Sequence, residues 1–267
     1  AIVSDGNKIL LSPQEAGDEP YLLAHNLTGV GVVVGKDRVK TGKIAIEQLG
    51  AEVLILDDGC QYLRLGRDLD IVVIDCLDPF GQKHLLPRGF LREPLRNLAK
   101  ADVFLLTRTD QVIPEKLKHI KKELSGINPK TMIIESLQEF YRLERLNSAS
   151  QITPEHINLL KDTEVVSLCS IGNPLSFEKT LESLGAKIVR KLRFPDHYKY
   201  TAEVLGRVFK QASDTVIVTT EKDAVRIRGK LAGLGDILVL GVSLQITKGY
   251  EEMKTLLKLK IESKREK

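Results

Sequence analysis

Two adjacent carboxylates, Asp57 and Asp58, follow the apolar run Val53 to Leu56 and precede Gly59, Cys60, Gln61 and Tyr62. Paired hard oxygen donors suit a divalent ion such as magnesium, held directly or through water. A short unbroken apolar run suits a strand buried on both faces of a parallel sheet. Ligand sites in such sheets lie beyond the carboxyl ends of the strands, where these acids would fall. A Walker-B-type carboxylate holds magnesium in this way in P-loop nucleotide enzymes. Asp57-Asp58-Gly59 also has the composition of a plain turn, and the local residues leave both readings open.

The elements that must position such acids read as alternating strands and helices. Val3 to Leu11 suggests a hairpin around Asp5-Gly6-Asn7, and Asp18-Glu19-Pro20 opens a helical pattern. A strand at Val30 to Val34 and a helix from Arg38 to Leu49, stopped by Gly50, lead into the apolar run. Further strands are expected at Asp70 to Asp75, Val103 to Leu106 and Met132 to Glu135, with a helix from Glu115 to Leu124. This alternation predicts an α/β fold with a right-handed, mostly parallel sheet covered on both faces. Between the strands, Pro79 to Pro94 is a long irregular segment, and loops of that length are often functional.

The pattern changes near residue 137. Tyr141 to Leu146 alternates polar and apolar residues, which predicts an exposed β-ribbon. A second, smaller α/β set follows, with strands at Val165 to Leu168, Lys187 to Leu192, Thr215 to Val218 and Ile237 to Leu240. The expected division is a catalytic domain over 1–140, a second domain with the ribbon over 141–246, and a last helix over 247–267. A strand near Val242 to Ile246 would return along the ribbon and let that helix pack back on the first domain.

Forty basic and thirty-six acidic residues leave a net charge of +4, which argues for no polyanionic partner such as nucleic acid. The basic excess gathers on the last helix at Lys254, Lys258, Lys260, Lys264, Arg265 and Lys267. A solvated helix end explains it, and contact with anionic lipid headgroups is the alternative. Cys60, Cys76 and Cys169 show no metal-ligand spacing and suit a reducing compartment.

Six motifs stand in one order: Ala16-Gly-Asp-Glu-Pro20, Asp57-Asp-Gly-Cys-Gln-Tyr62, Leu86-Pro-Arg-Gly-Phe-Leu-Arg-Glu-Pro94, Gly172-Asn-Pro174, Pro195-Asp-His-Tyr198 and Thr220-Glu-Lys-Asp223. Together they resemble the tetraacyldisaccharide 4′-kinase family, over essentially the whole chain. The resemblance implies a P-loop-kinase-like fold that uses ATP and Mg2+. It also implies transfer of the γ-phosphate to the 4′-hydroxyl of a tetraacyldisaccharide 1-phosphate, a lipid A precursor, forming lipid IVA. Such an enzyme would meet its acylated disaccharide peripherally, on the cytoplasmic side of the bacterial inner membrane, without nucleic acid or an obligate protein partner.

The chain departs from the family pattern in two ways. Family members carry a Gly-x-Gly-Lys-Thr type P-loop upstream of the Gly-Asp-Glu-Pro motif. Here the nearest look-alike is Thr41-Gly42-Lys43-Ile44, which lacks the hydroxyl after lysine. Ala1 is therefore read as an internal position of an N-terminally truncated member, and a chain of this extent is expected not to turn over ATP. Cys60 and Tyr62 also stand where the family usually has Leu and His.

The resemblance implies roles residue by residue. Asp18 is the implied base for the acceptor hydroxyl, against a plain helix cap. His197 is its implied partner, against a histidine that caps or packs. Meeting across the expected domains, the two would need closure to assemble the site. Asp57 and Asp58 are implied for magnesium, with Gln61 as a polar positioner. Arg38 is implied to bind phosphate, where a guanidinium fork suits oxygen geometry, against an exposed helix charge. Arg92 and Glu93 are implied to stabilise the transferring phosphate and shape the acceptor site, against an ordinary loop ion pair. Asn173, Glu221 and Lys222 are assigned nucleotide-side or interdomain contacts, although Thr220 to Asp223 also reads as a helix start. Two other functions compete: a different P-loop nucleotide-dependent enzyme, or a non-catalytic α/β module that binds nucleotide or lipid.

Overall fold

The computed structural model describes residues 1–265. Lys267, counted above with the basic helix, lies outside them. The fold is α/β and its main sheet is mostly parallel. In chain order the first elements are β1 (Ile2–Asp5), α1 (Pro13–Ala16), α2 (Asp18–Asn26), β2 (Gly31–Val33) and α3 (Arg38–Leu49). Next come β3 (Ile71–Asp75), β4 (Val103–Thr107), α4 (Pro114–Ile127), β5 (Met132–Leu146) and β6 (Ile152–Glu155). The later set is β7 (Glu164–Cys169), α5 (Pro174–Ser183), β8 (Lys187–Arg193), α6 (Ala202–Ala212), β9 (Val216–Thr220) and α7 (Glu221–Ile227). The last two elements are β10 (Ile237–Lys248) and α8 (Tyr250–Arg265).

The chain forms two compact units, Ala1–Glu52 with Phe140–Val242, and Val53–Glu139 with Ser243–Lys267. This grouping differs from the division at 140 expected from the sequence. The first 52 residues join the later strands because α2 packs on α7 within the first unit.

In the first unit, β10, β9, β7 and β8 lie side by side in parallel, with β5 bordering β10. Two apolar clusters cover the sheet. One gathers Leu168, Tyr200, Leu205, Ile217 and Ile227; the other gathers Leu143, Val165, Phe177, Leu181 and Val218. Thr201 caps α6 by accepting the Val204 amide at 3.2 Å, and Leu205, Val208 and Ala212 follow at helical spacing on its buried face. Tyr141 to Leu146 is not an exposed ribbon. It is the second half of β5, paired antiparallel with β6, and it buries Leu143 and Leu146 completely enough to belong to the core.

In the second unit β3, β4 and β5 run parallel. Ile74, Phe104, Leu106, Ile120 and Leu124 form its core, with α4 laid across the strands.

Two early expectations fail. The strand at 30–34 exists as β2, but it pairs antiparallel with β1 in a separate two-stranded sheet. The run Val53 to Leu56 forms no strand, and Ile55 is 94% exposed. A strand needs at least one hydrogen-bonded neighbour, and no described strand pairs with this run. The look-alike Thr41 to Ile44 sits inside α3, so its amides are spent on the helix and form no phosphate loop.

Candidate active site

The first cluster lies wholly within the first unit and is built on α2, α7 and two turns. Gly17, at φ 90°, is the N-cap of α2 and makes no side-chain capping bond. Asp18 is therefore the first helical residue, and with Glu19 it places negative charge where the helix dipole favours it. Its carboxylate does not cap. Oδ2 instead accepts from Nε of Arg226 at 2.5 Å. Glu19 pairs with Lys222 on the same two helices, and that bond holds its carboxyl below the usual range.

Arg226 projects from α7 and is nearly buried. Its Nη1 donates to the Ser170 carbonyl at 3.2 Å and to Ser170 Oγ at 2.8 Å. Its Nη2 lies 3.0 Å from Nδ1 of His197. His197 sits in the Pro195 to Tyr198 turn at φ 58°, a left-handed conformation that histidine tolerates better than most side chains. Its amide donates to Asp196 Oδ1 at 2.9 Å and to the Ser170 carbonyl at 3.3 Å. Phe194, Tyr198 and Tyr200 pack ring against ring around this turn, with centroids 4.7 to 5.4 Å apart. Asp18 and His197 thus share one unit and one guanidinium, so no closure between domains is needed to bring them together.

Beneath them lies Asp223, fully buried. It accepts from the Ser170 amide at 3.0 Å, Tyr200 Oη at 3.2 Å and Thr220 Oγ1 at 2.8 Å, and also from Ser170 Oγ. Thr220 caps α7 by accepting the Asp223 amide at 3.2 Å. Burial, and then the charge of Asp223, push the Tyr200 phenol up.

The second cluster lies within the second unit. Arg92 Nη1 donates to Asp58 Oδ1 at 2.9 Å and Oδ2 at 2.7 Å. Glu93 accepts from Asn97 at 2.7 Å and hydrogen-bonds Gln61, and those two contacts hold its carboxyl below the ordinary range. The Asp57-Asp58 motif and the long loop, some thirty residues apart in sequence, therefore meet. Arg92 pairs with Asp58 rather than with its neighbour Glu93.

The loop that carries Arg92 folds on itself. Phe90 donates to the Gly81 carbonyl at 3.1 Å, Leu91 to His84 at 3.1 Å, and Leu86 to Leu91 at 3.0 Å. Gly89 permits this approach. A Cβ there would lie 2.4 Å from the His84 carbonyl oxygen and 2.6 Å from that of Gly81.

The acids suit magnesium carried in with a nucleotide better than a preformed metal centre. Among the described residues no group of three or more His, Cys, Asp or Glu side chains could hold an ion. Asp57 is exposed and makes no hydrogen bond or ion pair among the described residues, while Asp58 shares its oxygens with Arg92. Magnesium commonly takes one or two carboxylates and completes its octahedron with water and substrate phosphate. Asp57 and Asp58 fit that donor set.

The remaining predicted residues lie apart from these bonds. Arg38 opens α3 and donates to the Gly35 carbonyl at 3.1 Å, while Asp37 caps the helix. Asn173 caps α5 by accepting the Ser176 amide at 3.1 Å. Glu221 receives Tyr141 Oη at 2.7 Å and Arg142 Nε at 3.1 Å, which commits its carboxylate to β5. Sequence reasoning missed Arg226. Its only trace was position, three residues after Asp223 and four after Lys222, on the helix that the Thr-Glu-Lys-Asp motif begins.

The tetraacyldisaccharide-1-P 4′-kinase family profile matches residues 1–262. A tetraacyldisaccharide 4′-kinase of Halothermothrix orenii is 40% identical over 235 residues, covering 85% of this chain and 61% of that protein. One of Anaeromyxobacter dehalogenans is 38% identical over 264 residues, covering 96% of this chain and 68% of that protein. The chain thus spans about two thirds of the length of these relatives. The crystal structure of LpxK from Aquifex aeolicus in complex with ATP superposes with a TM-score of 0.68 at 32% identity, covering 98% of this chain and 74% of that one. With the profile matched almost from end to end, the chain belongs to the tetraacyldisaccharide-1-P 4′-kinase family.

Proposed function

We propose that this chain serves an enzyme that, together with a glycine-rich phosphate loop of the family type, transfers the γ-phosphoryl group of ATP to the 4′-hydroxyl of a tetraacyldisaccharide 1-phosphate. The observation that carries the reading is the Asp18–Arg226–His197 arrangement. It leaves a partly exposed carboxylate at a helix start with one oxygen, Oδ1, unbonded among the described residues. Phosphoryl transfer asks a protein mainly for positioning and charge neutralisation, with one group to take the hydroxyl proton. Asp18 supplies that group, and Asp57, Asp58 and Arg92 supply the charges for magnesium and phosphate. Magnesium, when bound, neutralises charge on the phosphates.

Incubation of the whole protein with ATP, magnesium and the disaccharide 1-phosphate in detergent micelles tests this. The expected product is heavier by one phosphate, with ADP formed in equal amount. ATP hydrolysis without lipid phosphorylation would point to another nucleotide-dependent enzyme, and binding without turnover to a non-catalytic module.

The same reading places the protein peripherally at the cytoplasmic face of the inner membrane, where an acylated disaccharide presents its sugar. Support comes from α8, which exposes Leu257, Leu259 and Ile261 together with Lys254, Lys258 and Lys264. No helix among the described residues is long and apolar enough to cross a membrane.

A further inference from the structure

Arg226 is the side chain whose described hydrogen bonds reach both Asp18 and His197. A guanidinium donates at every nitrogen and accepts at none. Nδ1 of His197, 3.0 Å from Nη2, must therefore offer a lone pair, and the proton of the neutral imidazole must sit on Nε2. The same guanidinium occupies Oδ2 of Asp18 and leaves Oδ1 without a hydrogen bond among the described residues. We propose that Arg226 is a positioning residue for phosphoryl transfer, fixing His197 as its Nε2–H tautomer and turning Asp18 so that Oδ1 takes the hydroxyl proton. The inference rests on the function proposed above.

Burial gives the arrangement its direction. Side-chain exposure rises from 0% at Asp223 to 5% at Arg226, 27% at Asp18 and 60% at His197. Asp223 and Ser170 hold the guanidinium on its buried side, and Asp18 and His197 are its more exposed partners. Groups locked by such a supporting layer keep their productive orientation without reorganising during reaction. Arginine suits this place because its planar fork can serve two acceptors at once, which the single ammonium of lysine serves poorly.

The charged groups around the pair are few. Asp18 faces Arg226 and the charge of Lys230, whose own pKa burial pushes down. His197 faces Arg226, Asp196 at 3.9 Å and the charge of Glu19, which is paired with Lys222.

The direct test is the tautomer of His197, read from long-range 15N–1H couplings of the imidazole and assigned by loss of the signal in His197→Gln. The wild-type protein should show Nε2–H, and Arg226→Met should populate Nδ1–H. In the lipid kinase assay Arg226→Met and Arg226→Lys should each lower kcat by about 100-fold, the cost of a misplaced group, with KM changed less than about threefold. The pH dependence of kcat in Arg226→Lys should also shift from that of wild type. Nδ1–H in the wild-type spectrum, or an Arg226→Lys variant within about threefold of wild-type kcat, would overturn the proposal. Should both variants fail to fold, the wild-type tautomer alone decides. A wild-type protein that shows Nε2–H but phosphorylates no lipid would sink the proposed function and leave the role of Arg226 in orienting the histidine intact.

Discussion

Replacing Asp223 by alanine should cost the first unit far more than a surface change. Asp223 is fully buried and takes donors from Ser170, Thr220 and Tyr200, with Arg226 at 3.4 Å. Hydrogen bonds to a charged group contribute about 1.5–3 kcal/mol each, but donors sharing one carboxylate do not add. The deletion also strands a nearly buried guanidinium with Asp18 as its remaining carboxylate partner. Breaking a buried ion pair from one side typically costs about 3–5 kcal/mol, and about 4 kcal/mol is expected here. Asp223→Asn, which keeps the shape and one acceptor oxygen, should cost roughly half as much. Urea unfolding followed by far-UV circular dichroism is the assay, since the chain contains no tryptophan. A loss below about 1 kcal/mol for Asp223→Ala would refute the view that this carboxylate anchors the cluster.

Asp57→Asn and Asp58→Asn should each weaken magnesium-dependent nucleotide binding by calorimetry while leaving the unfolding midpoint in place, because both groups are exposed and an amide cannot replace the charge. Unchanged titrations in both would remove them from the site. Glu178 is buried under a bidentate Arg193 at 2.7 Å on both arms, and that contact holds its carboxyl below the ordinary range, with Lys191 adding to it. A depressed folded-state pKa gives stability that is present above the unfolded-state value of 4.5 and is lost as pH falls through the folded value. Acid unfolding of Glu178→Gln should therefore show a flatter limb than wild type below that value, and an identical limb would contradict it. Binding to vesicles containing phosphatidylglycerol should fall as salt rises, because the lysines of α8 attract headgroups through a screened field. Tight co-sedimentation that ignores salt would exclude this contact.

Much of the later chain was legible in its pattern. Runs such as Val165 to Leu168 and Val103 to Leu106 are long enough, and bounded clearly enough by polar residues, to be strands wherever they pack. The ordered motifs marked Asp57-Asp58 and Arg92-Glu93 separately, and that Arg92 bonds Asp58 is something only the folded loop shows. The early chain was less legible because a strand is a property of its neighbours. Val53 to Leu56 has the composition of a buried strand but finds no partner among the described residues, and β2 pairs with β1 instead. Tyr141 to Leu146 misled for the opposite reason, since alternation describes a half-buried strand as well as an exposed ribbon. Arg226 was invisible because nothing in a helix interior marks which arginine turns inward. Only the packing of α2 on α7 sets it against Asp18.

Asp18 is the residue on which the proposed chemistry most directly depends. Steady-state transfer of labelled γ-phosphate to the disaccharide 1-phosphate should be measured for the wild-type protein and for Asp18→Ala under matched magnesium and lipid. Loss of a group that takes the hydroxyl proton should lower kcat by about two to four orders of magnitude while ATP affinity stays within about threefold. A variant that retains wild-type kcat within about threefold would show that Asp18 serves only the start of its helix, and the proposed chemistry of the first cluster would fall with it.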